Sequence, residues 1–271
     1  MKPLPSMVMP LEPGDPIGRV IGLWRYPVKS MAGEVLASVE AGGLGFIGDR
    51  AFGVIDVETG HLLSAKRVPA LLGARAMYSD DGEVTIALPD GRFLRSDDPH
   101  VNDLLSAWLA RAVFLDRPSS GQRSKVEIEI DLDDPSQVFE FTTRPGLFFD
   151  GAVQHLLSDA SLAAARSLHP DGAWIVERFR PNVLIESALG ADAGFVDDDW
   201  VGHTLDVSGM QVEVAKRCDR CVLTTRAVAG TQADKEILRT LTRHHGGDLG
   251  VKGQVLSVGR VVVGDEVRVT G

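Results

Sequence analysis

The chain has 271 residues, 44% of them hydrophobic and 24% charged, which is the composition of an ordinary folded protein of one or two domains. Its formal net charge of −10 argues against a general nucleic-acid-binding protein, because phosphate backbones are bound by surplus Lys and Arg. No apolar run approaches the roughly 18 to 20 residues that span a bilayer, and the proline-rich residues 1–5 lack the apolar core of a signal peptide. We therefore expect a cytoplasmic protein without a membrane segment.

Three strands are predicted in the first third of the chain from alternating or β-branched apolar residues, at 17–25, 52–57 and 83–88. The first of them ends at Tyr26, since the residue before a proline is pushed to extended geometry. A helix is predicted to begin near Ser96, with its apolar side formed by Leu104, Leu105, Trp108 and Leu109. The polar stretch 117–122 follows and is the predicted seam between two domains.

The second half of the chain alternates predicted strands and helices. Ser158 is predicted to cap a helix that runs to Pro170, and residues 231–245 are predicted to form a helix in which Thr231 and Asp234 are spaced as a capping pair. Two hairpins are predicted, one from segments 205–207 and 211–214 and one from segments 259–263 and 266–269. The sum is a strand-rich α+β or β-barrel-like fold with few helices.

The two cysteines, Cys218 and Cys221, form a C-x-x-C motif among the cations Lys216, Arg217 and Arg220. Positive neighbours favour thiolate over thiol, which makes a cysteine a better nucleophile or soft-metal ligand. Two cysteines are too few for an ordinary iron–sulfur cluster, so electrons would come from outside this chain or from another cofactor. The spacing by itself is also compatible with a redox disulfide, with two core thiols, or with half of a zinc site completed by a second chain or by His244 and His245.

Basic residues cluster at two places in the first part of the chain. Lys29 and Ser30 follow the first predicted strand, and a point charge next to a hydroxyl can hold a phosphate. Arg50 would add a forked donor to the same anion, although a surface lysine and a structural Asp49–Arg50 pair would explain the same residues. A further basic piece reads A-K-R-V-P at residues 65–69.

A third basic cluster lies in the middle of the chain. Arg178 and Arg180 are two residues apart, so on a strand their side chains would share one face, with Asn182 next along it. Two guanidinium groups on one face suit a flat ligand that is rich in heteroatoms and has an anionic tail. The alternative is a pair that only solvates a strand edge.

The ordered set of these motifs resembles the MOSC family, named after the C-terminal part of molybdenum-cofactor sulfurases. The motifs are, in chain order, Y-P-V-K-S-M at 26–31, G-D-R at 48–50, A-K-R-V-P-A-L-L at 65–72, R-F-R-P-N at 178–182, W-V-G-H-T-L at 200–205 and C-D-R-C-V-L-T-T at 218–225. The resemblance implies a MOSC N-terminal β-barrel region over residues 16–117. It also implies a MOSC-type β-barrel domain with a few helices over residues 118–271.

Residue by residue, the resemblance implies a molybdopterin site. Cys221 is the expected molybdenum ligand and catalytic residue. The expected cofactor-binding residues are Lys29, Ser30, Arg50, Arg178, Arg180, Asn182, Asp219 and Arg220. Cys218 then lies beside the ligand without an assigned role.

The best-understood proteins of this type are the amidoxime-reducing components, which reduce N-hydroxylated compounds. The resemblance therefore implies a molybdenum-dependent oxidoreductase that receives electrons from a separate reductase or ferredoxin-like protein. Residues 226–231 read R-A-V-A-G-T where such relatives carry an acidic V-D-P-D-T-G-like segment, so we expect substrate preference, or even the reaction, to differ. The alternative functions are a carrier of sulfur, persulfide or molybdenum cofactor, and a zinc-stabilised binding module.

Overall fold

The computed structural model describes residues 10–119, 121–129, 131–134, 136–146, 148–149 and 153–271. Residues 1–5, for which the sequence predicts no signal peptide, lie outside this described part, as does Ser120 in the predicted seam. The described strands are, in chain order, β1 (Pro16–Arg25), β2 (Glu34–Leu36), β3 (Ser38–Gly42), β4 (Gly45–Phe46), β5 (Gly53–Asp56), β6 (Arg75–Tyr78), β7 (Val84–Ala87), β8 (Phe93–Arg95), β9 (Val113–Asp116), β10 (Lys125–Glu129), β11 (Val138–Thr142), β12 (Gln154–Ser158), β13 (Val183–Ser187), β14 (Thr204–Val207), β15 (Met210–Asp219), β16 (Asp248–Ser257), β17 (Gly259–Val262) and β18 (Glu266–Val269). The described α-helices are α1 (Val101–Leu109), α2 (Asp159–Leu168), α3 (Val176–Phe179) and α4 (Glu236–His245), and short 3-10 helices cover Pro69–Gly73, Val196–Trp200 and Val222–Thr225.

Seven strands form a closed barrel. Their order around it is β13, β12, β16, β15, β14, β18 and β1, and the pairing of β1 with β13 closes the ring. Closure leaves no unpaired sheet edge in the ring. The barrel core is filled by inward-pointing apolar side chains of alternate residues, such as Val20, Ile185, Val212, Val251 and Val267. The predicted strand-rich fold with a β-barrel and few helices is confirmed.

A second apolar core lies among residues 53–116, which we call the N-terminal lobe. Here β5 pairs with β9, the strands β6, β7 and β8 form a meander, and α1 packs against them. The predicted apolar side of α1 does face this core, because Leu105 is fully buried in it and Leu104 and Trp108 pack against it. The β10–β11 hairpin covers a smaller core that contains Val126 and Phe148.

Strands from the two halves of the chain pair with each other. β1 pairs with β13 and β18, and β3 pairs with β17, so residues 16–42 pair with strands that follow residue 182. The boundary predicted between residues 117 and 118 stays a prediction. The barrel itself is nevertheless built from both sides of that boundary.

Among the local structures predicted in the second half, the Ser158 cap and one hairpin are confirmed and the other hairpin is wrong. Ser158 caps α2, since its Oγ accepts a hydrogen bond from the Ser161 N–H at 3.0 Å. The β14–β15 hairpin also forms. The hairpin predicted from segments 259–263 and 266–269 does not, because β17 pairs with β3 whereas β18 pairs with β1 and β14. The turn at Gly264 thus carries the chain from one sheet to another.

The helix predicted from Thr231 begins at Glu236 instead. The Thr231 hydroxyl donates to the Val228 carbonyl at 2.7 Å and accepts from Arg178 at 2.8 Å, so this residue is held in a preceding turn. Asp234 accepts from the Glu236 N–H at 2.8 Å and orders the entry to α4. The capping pair predicted from spacing is therefore wrong, because local bonds of Thr231 compete with the helix.

Candidate functional site

A cavity of about 320 Å³ is lined by residues of the barrel, the N-terminal lobe and the β10–β11 hairpin. Eight of the nine residues predicted from the sequence line it: Lys29, Ser30, Arg50, Arg180, Asn182, Asp219, Arg220 and Cys221. The residues that complete its wall are Ser64, Lys66, Ile128, Phe141, Phe148, Phe149, His155, Phe179, Cys218, Leu223 and Lys252. Motifs that are up to about two hundred residues apart in the chain thus meet at one site.

The cavity wall is strongly cationic. Among the described residues, one carboxylate, Asp219, lines it against six cationic side chains: Lys29, Arg50, Lys66, Arg180, Arg220 and Lys252. Lys29 and Lys66 are less than 10% exposed, and the Lys29 ammonium donates to the Phe148 carbonyl at 3.1 Å. A wall with six cationic side chains and one carboxylate has an excess of positive charge, so it suits an anionic ligand. Six of the 28 Lys and Arg residues of this acidic chain therefore line one cavity.

Three residues of the cavity have left-handed backbone conformations. The φ angles are 70° at Ser30, 51° at Arg50 and 57° at Arg180. Such angles are uncommon for residues other than glycine and cost of order 1 kcal/mol or more, and they recur at binding sites. Ser30 is held in place by its hydroxyl, which accepts from the Ala65 N–H at 3.0 Å and joins the predicted Lys–Ser pair to the A-K-R segment.

Asp49 and Asn182 hold the loop that carries Arg50. The Asp49 carboxylate accepts from the Tyr26 N–H at 2.7 Å, from the Asn182 amide at 2.9 Å and from the Arg50 guanidinium. The Asn182 side chain also accepts from the His155 N–H at 3.2 Å. Asn182 is 1% exposed, so it acts chiefly by positioning its neighbours.

Arg180 follows α3 and crosses to the other half of the chain. Its Nη1 donates to the Met31 carbonyl at 2.7 Å, and its guanidinium lies 4.2 Å from the centroid of the Tyr26 ring. The Arg50 guanidinium lies 4.6 Å from the same ring. Burial raises the pKa of Tyr26 above its usual value, so the phenol stays neutral while it donates to the Pro181 carbonyl at 3.1 Å. One aromatic ring thus positions two of the cationic groups.

The two thiols lie at the end of β15, and both are free. Cys218 is 2% exposed and its Sγ accepts from Arg220 Nη1 at 2.8 Å, whereas Cys221 is half-buried at the start of the Val222–Thr225 helix. The second guanidinium nitrogen of Arg220, Nη2, donates to the Phe179 carbonyl at 2.7 Å. Both thiols line the cavity, and Cys221 is the more exposed of the two, so its sulfur is the more accessible to a soft metal.

His155 lies between the two arginines and was not predicted from the sequence. Its Nδ1 is 3.3 Å from the Arg180 carbonyl and its Nε2 is 3.4 Å from Arg220 Nη1. Burial, with Arg220 and Lys252 nearby, lowers the pKa of His155 well below its usual value. The neutral ring can therefore donate from Nδ1 and accept at Nε2. No motif in the sequence marks this residue.

Arg178 does not reach the cavity, and it does not share a strand face with Arg180. It lies in α3 and Arg180 follows that helix, so the strand predicted for this pair is wrong. The Arg178 side chain is 1% exposed and donates to the carbonyls of Thr224 and Arg226 at 2.8 and 2.7 Å. Arg178 therefore holds the segment that follows Cys221 without lining the cavity itself.

Lys66 and Lys252 are the two cationic wall residues that were not assigned to the site from the sequence. The A-K-R motif gave a signal for Lys66, but Lys252 lies on β16 without one. No group of three or more His, Cys, Asp or Glu side chains arranged to hold a metal ion occurs in the described part of the chain. The zinc site that would use Cys218, Cys221 and histidines thus has no support in the described geometry.

Two family models match the chain, together over most of its length. The MOSC N-terminal beta barrel domain matches residues 17–106 and the MOSC domain matches residues 144–268. The second match contains the cysteine motif and the first contains the Lys–Ser pair and Arg50.

Curated relatives and a solved structure are similar over most of the chain. Human mitochondrial amidoxime reducing component 2 is 26% identical over 231 residues, which are 77% of this chain and 67% of that protein. Its counterpart from Bos taurus is 25% identical over 295 residues, 93% of this chain and 83% of that protein. The YUAD protein from Bacillus subtilis has a TM-score of 0.49 at 13% identity, covering 93% of this chain and 94% of that one. None of the described helices has the length and apolar character needed to cross a membrane.

Proposed function

The chain belongs to the MOSC family, and from that premise we propose that it binds a molybdenum cofactor through the Cys221 thiolate and reduces N-hydroxylated compounds. The observation that carries the proposal is the cavity itself, in which a free thiol and six cationic side chains face one space. Molybdopterin combines soft sulfur chemistry at the metal with an anionic phosphate, and this wall offers a partner for each.

The residues present fit such a group. Arg220 lines the cavity, and its buried Nε has no hydrogen-bond partner among the described residues, so this donor is available to a bound acceptor. Lys29, Ser30 and Arg50 would hold the phosphate and pterin, and Arg180 would fix the orientation of the cofactor. When bound, this cofactor supplies two-electron redox chemistry and accepts an oxygen atom.

The proposed reaction breaks the N–O bond of an N-hydroxylated substrate. It consumes two electrons and two protons, and the oxygen leaves as water. The electrons would come from a separate reductase or ferredoxin-like protein, and we expect the reaction to take place in the cytoplasm. His155 contributes by staying neutral, because a protonated ring could not accept from Arg220 and would repel it.

A carrier of persulfide sulfur or of the cofactor is the second candidate. The contact that favours it is the 2.8 Å hydrogen bond from Arg220 to Cys218, because a cationic donor stabilises an anionic sulfur. Labelling of a persulfide that disappears in Cys218→Ser, without electron-driven turnover of any N-hydroxylated compound, would favour the carrier.

The test is the molybdenum and pterin content of the protein made in a host that synthesises the cofactor. We compare wild type with Cys221→Ser and with its matched control Cys218→Ser, and verify by circular dichroism that all three fold. Near-stoichiometric molybdenum in wild type and Cys218→Ser, lost in Cys221→Ser, supports the ligand assignment. A wild-type protein without molybdenum, or equal loss in both variants, contradicts it.

A further inference from the structure

The β10–β11 hairpin places an apolar face toward the cavity. Its register pairs Val126 with Phe141 and Ile128 with Phe139, so these four side chains share one face of the hairpin. Val126 is fully buried, and Ile128 and Phe141 line the cavity. Phe139 is 55% exposed and does not contribute to the lining. The hairpin thus presents two apolar side chains to a cavity whose polar wall is mainly cationic.

The apolar and cationic parts of the cavity wall suit different kinds of ligand. An anionic, heteroatom-rich cofactor gains from Lys29, Arg50 or Arg180 but gains little from Ile128 and Phe141. Leu223, two residues after Cys221, also lines the cavity, so apolar surface lies near the thiol in the chain. A bound cofactor therefore leaves an apolar wall for a second molecule, and aromatic and aliphatic side chains suit a flat apolar body.

Arg226 fastens this hairpin to the segment that carries Cys221. Its guanidinium donates to the Glu129 carboxylate on β10 and, at 3.0 Å, to the Lys66 carbonyl. The Glu129 side chain is 9% exposed, so the ion pair is largely shielded from solvent. Because Arg178 also donates to the Arg226 carbonyl at 2.7 Å, Arg226 is held from both sides. The first residue of the segment that departs from the family pattern thus helps to hold the hairpin against the cavity.

We propose that the β10–β11 hairpin, fastened by the Arg226–Glu129 ion pair, selects N-hydroxylated substrates whose reacting group is attached to a flat apolar body such as a phenyl ring. The inference rests on the proposed reductase function. It adds the chemical class of the substrate and two determinants of selectivity, the apolar pair Ile128 and Phe141 and the ion pair that positions them.

The first test compares two amidoximes that share the reacting group and differ in the attached body, benzamidoxime and acetamidoxime. In Phe141→Ala, kcat/KM for benzamidoxime should fall by a factor that is roughly ten times larger than the factor for acetamidoxime. The reason is that the variant removes one ring contact that only benzamidoxime can make. Phe139→Ala is the matched control on the same hairpin face and should leave the ratio of the two unchanged. Phe141→Leu, which keeps an apolar group, should give an intermediate ratio and serves if the alanine variant folds poorly.

The outcomes separate the two proposals. A protein that holds molybdenum yet reduces neither amidoxime overturns the proposed function. Reduction of both with the same selectivity in wild type, Phe141→Ala and Phe139→Ala overturns only the role of the hairpin.

The second test concerns the ion pair and needs no cofactor. Arg226→Gln and Glu129→Gln should each increase hydrogen exchange of the β10 and β11 amides in the cofactor-free protein, and the double variant should increase it by less than the product of the two factors, because both single variants remove the same ion pair. Arg239→Gln is the control, since it removes exposed ion pairs with Asp133 in the hairpin connection and with Glu236 on its own helix. Exchange that is unchanged in Arg226→Gln, or equally raised by Arg239→Gln, overturns the role of Arg226.

Discussion

The Asn182 side-chain amide donates to Asp49 Oδ2 at 2.9 Å across 133 residues of chain, and this bond joins the loop of Arg50 to the start of β13. The same side chain accepts from the His155 N–H on β12. The loop that brings Arg50 to the cavity is thus held by a residue that itself is almost completely buried. Asn182 sets the geometry of the site by satisfying other polar groups.

Replacing Asn182 should therefore destabilise the protein. Asn182→Ala removes one of the donors to Asp49 and leaves the His155 N–H without its side-chain partner, which should cost about 1–3 kcal/mol of the free energy of unfolding. Asn182→Asp keeps the size but brings a second carboxylate to Asp49, so it should be at least as destabilising at neutral pH. Urea unfolding measures both. A change below about 0.5 kcal/mol in the alanine variant would show that water replaces the amide without loss.

A side chain at position 250 should destabilise the protein, because His155 lies against Gly250. Its φ is 76°, and a Cβ there would lie 2.5 Å from His155 Nε2 and 2.7 Å from the Leu156 carbonyl oxygen. Gly250→Ala should displace the imidazole from Arg220 and cost about 2–4 kcal/mol, since backbone strain and a steric clash add. Gly264→Ala is the control: φ is 104° but nothing lies within 4 Å of its Cβ, so only the strain remains. Equal urea midpoints for the two variants would contradict the contact.

Asp197 should give the stability of the protein a distinctive pH dependence. Burial raises the pKa of Asp197 to about 6 in the folded protein, against about 3.9 in an unfolded chain. Between these values the folded state keeps a proton that the unfolded state has lost, so the free energy of unfolding falls as pH rises from about 4 through 6. The loss should reach roughly 1–3 kcal/mol.

The check is urea unfolding of wild type and Asp197→Asn between pH 4.5 and 7.5. The variant cannot ionise, so its stability relative to wild type should increase across this range and level off above pH 7. Parallel curves for the two proteins would contradict a titrating Asp197. The neutral amide can still accept from the Ser158 N–H, which lies 3.2 Å from the carboxylate in the wild type.

The sequence was most informative about the motif residues that line the cavity and least informative about the residues that support them. Lys29, Arg50 and Cys221 lie in short motifs of characteristic composition, and all three meet at the cavity. His155 and Gly250 have no local signal, because their importance comes from a contact between β12 and β16 that exists only in the fold.

Local patterns predicted strands and caps well where neighbours in the chain decide the structure. Alternation predicted the β14–β15 hairpin, and the Ser158 cap followed from its own helix. The partner of β17 could not be predicted, since β3 lies more than two hundred residues earlier. The prediction that Arg178 lines the cavity failed for a similar reason. Arg178 lies in α3 and not on the expected strand, and its side chain donates to carbonyls of the distant segment that follows Cys221.

Closure of the barrel by β1 also has a consequence for how the chain folds during synthesis. β1 is made early but needs β13 on one side and β18 on the other, and β18 spans Glu266–Val269. The ribosome must release nearly the whole described chain before the ring can close, so its apolar interior stays open to water until then. Pairings between such distant segments slow folding and leave partly folded chains prone to aggregate. Chaperone dependence during expression should therefore be relieved most by a circular permutation that makes β1 directly after β18.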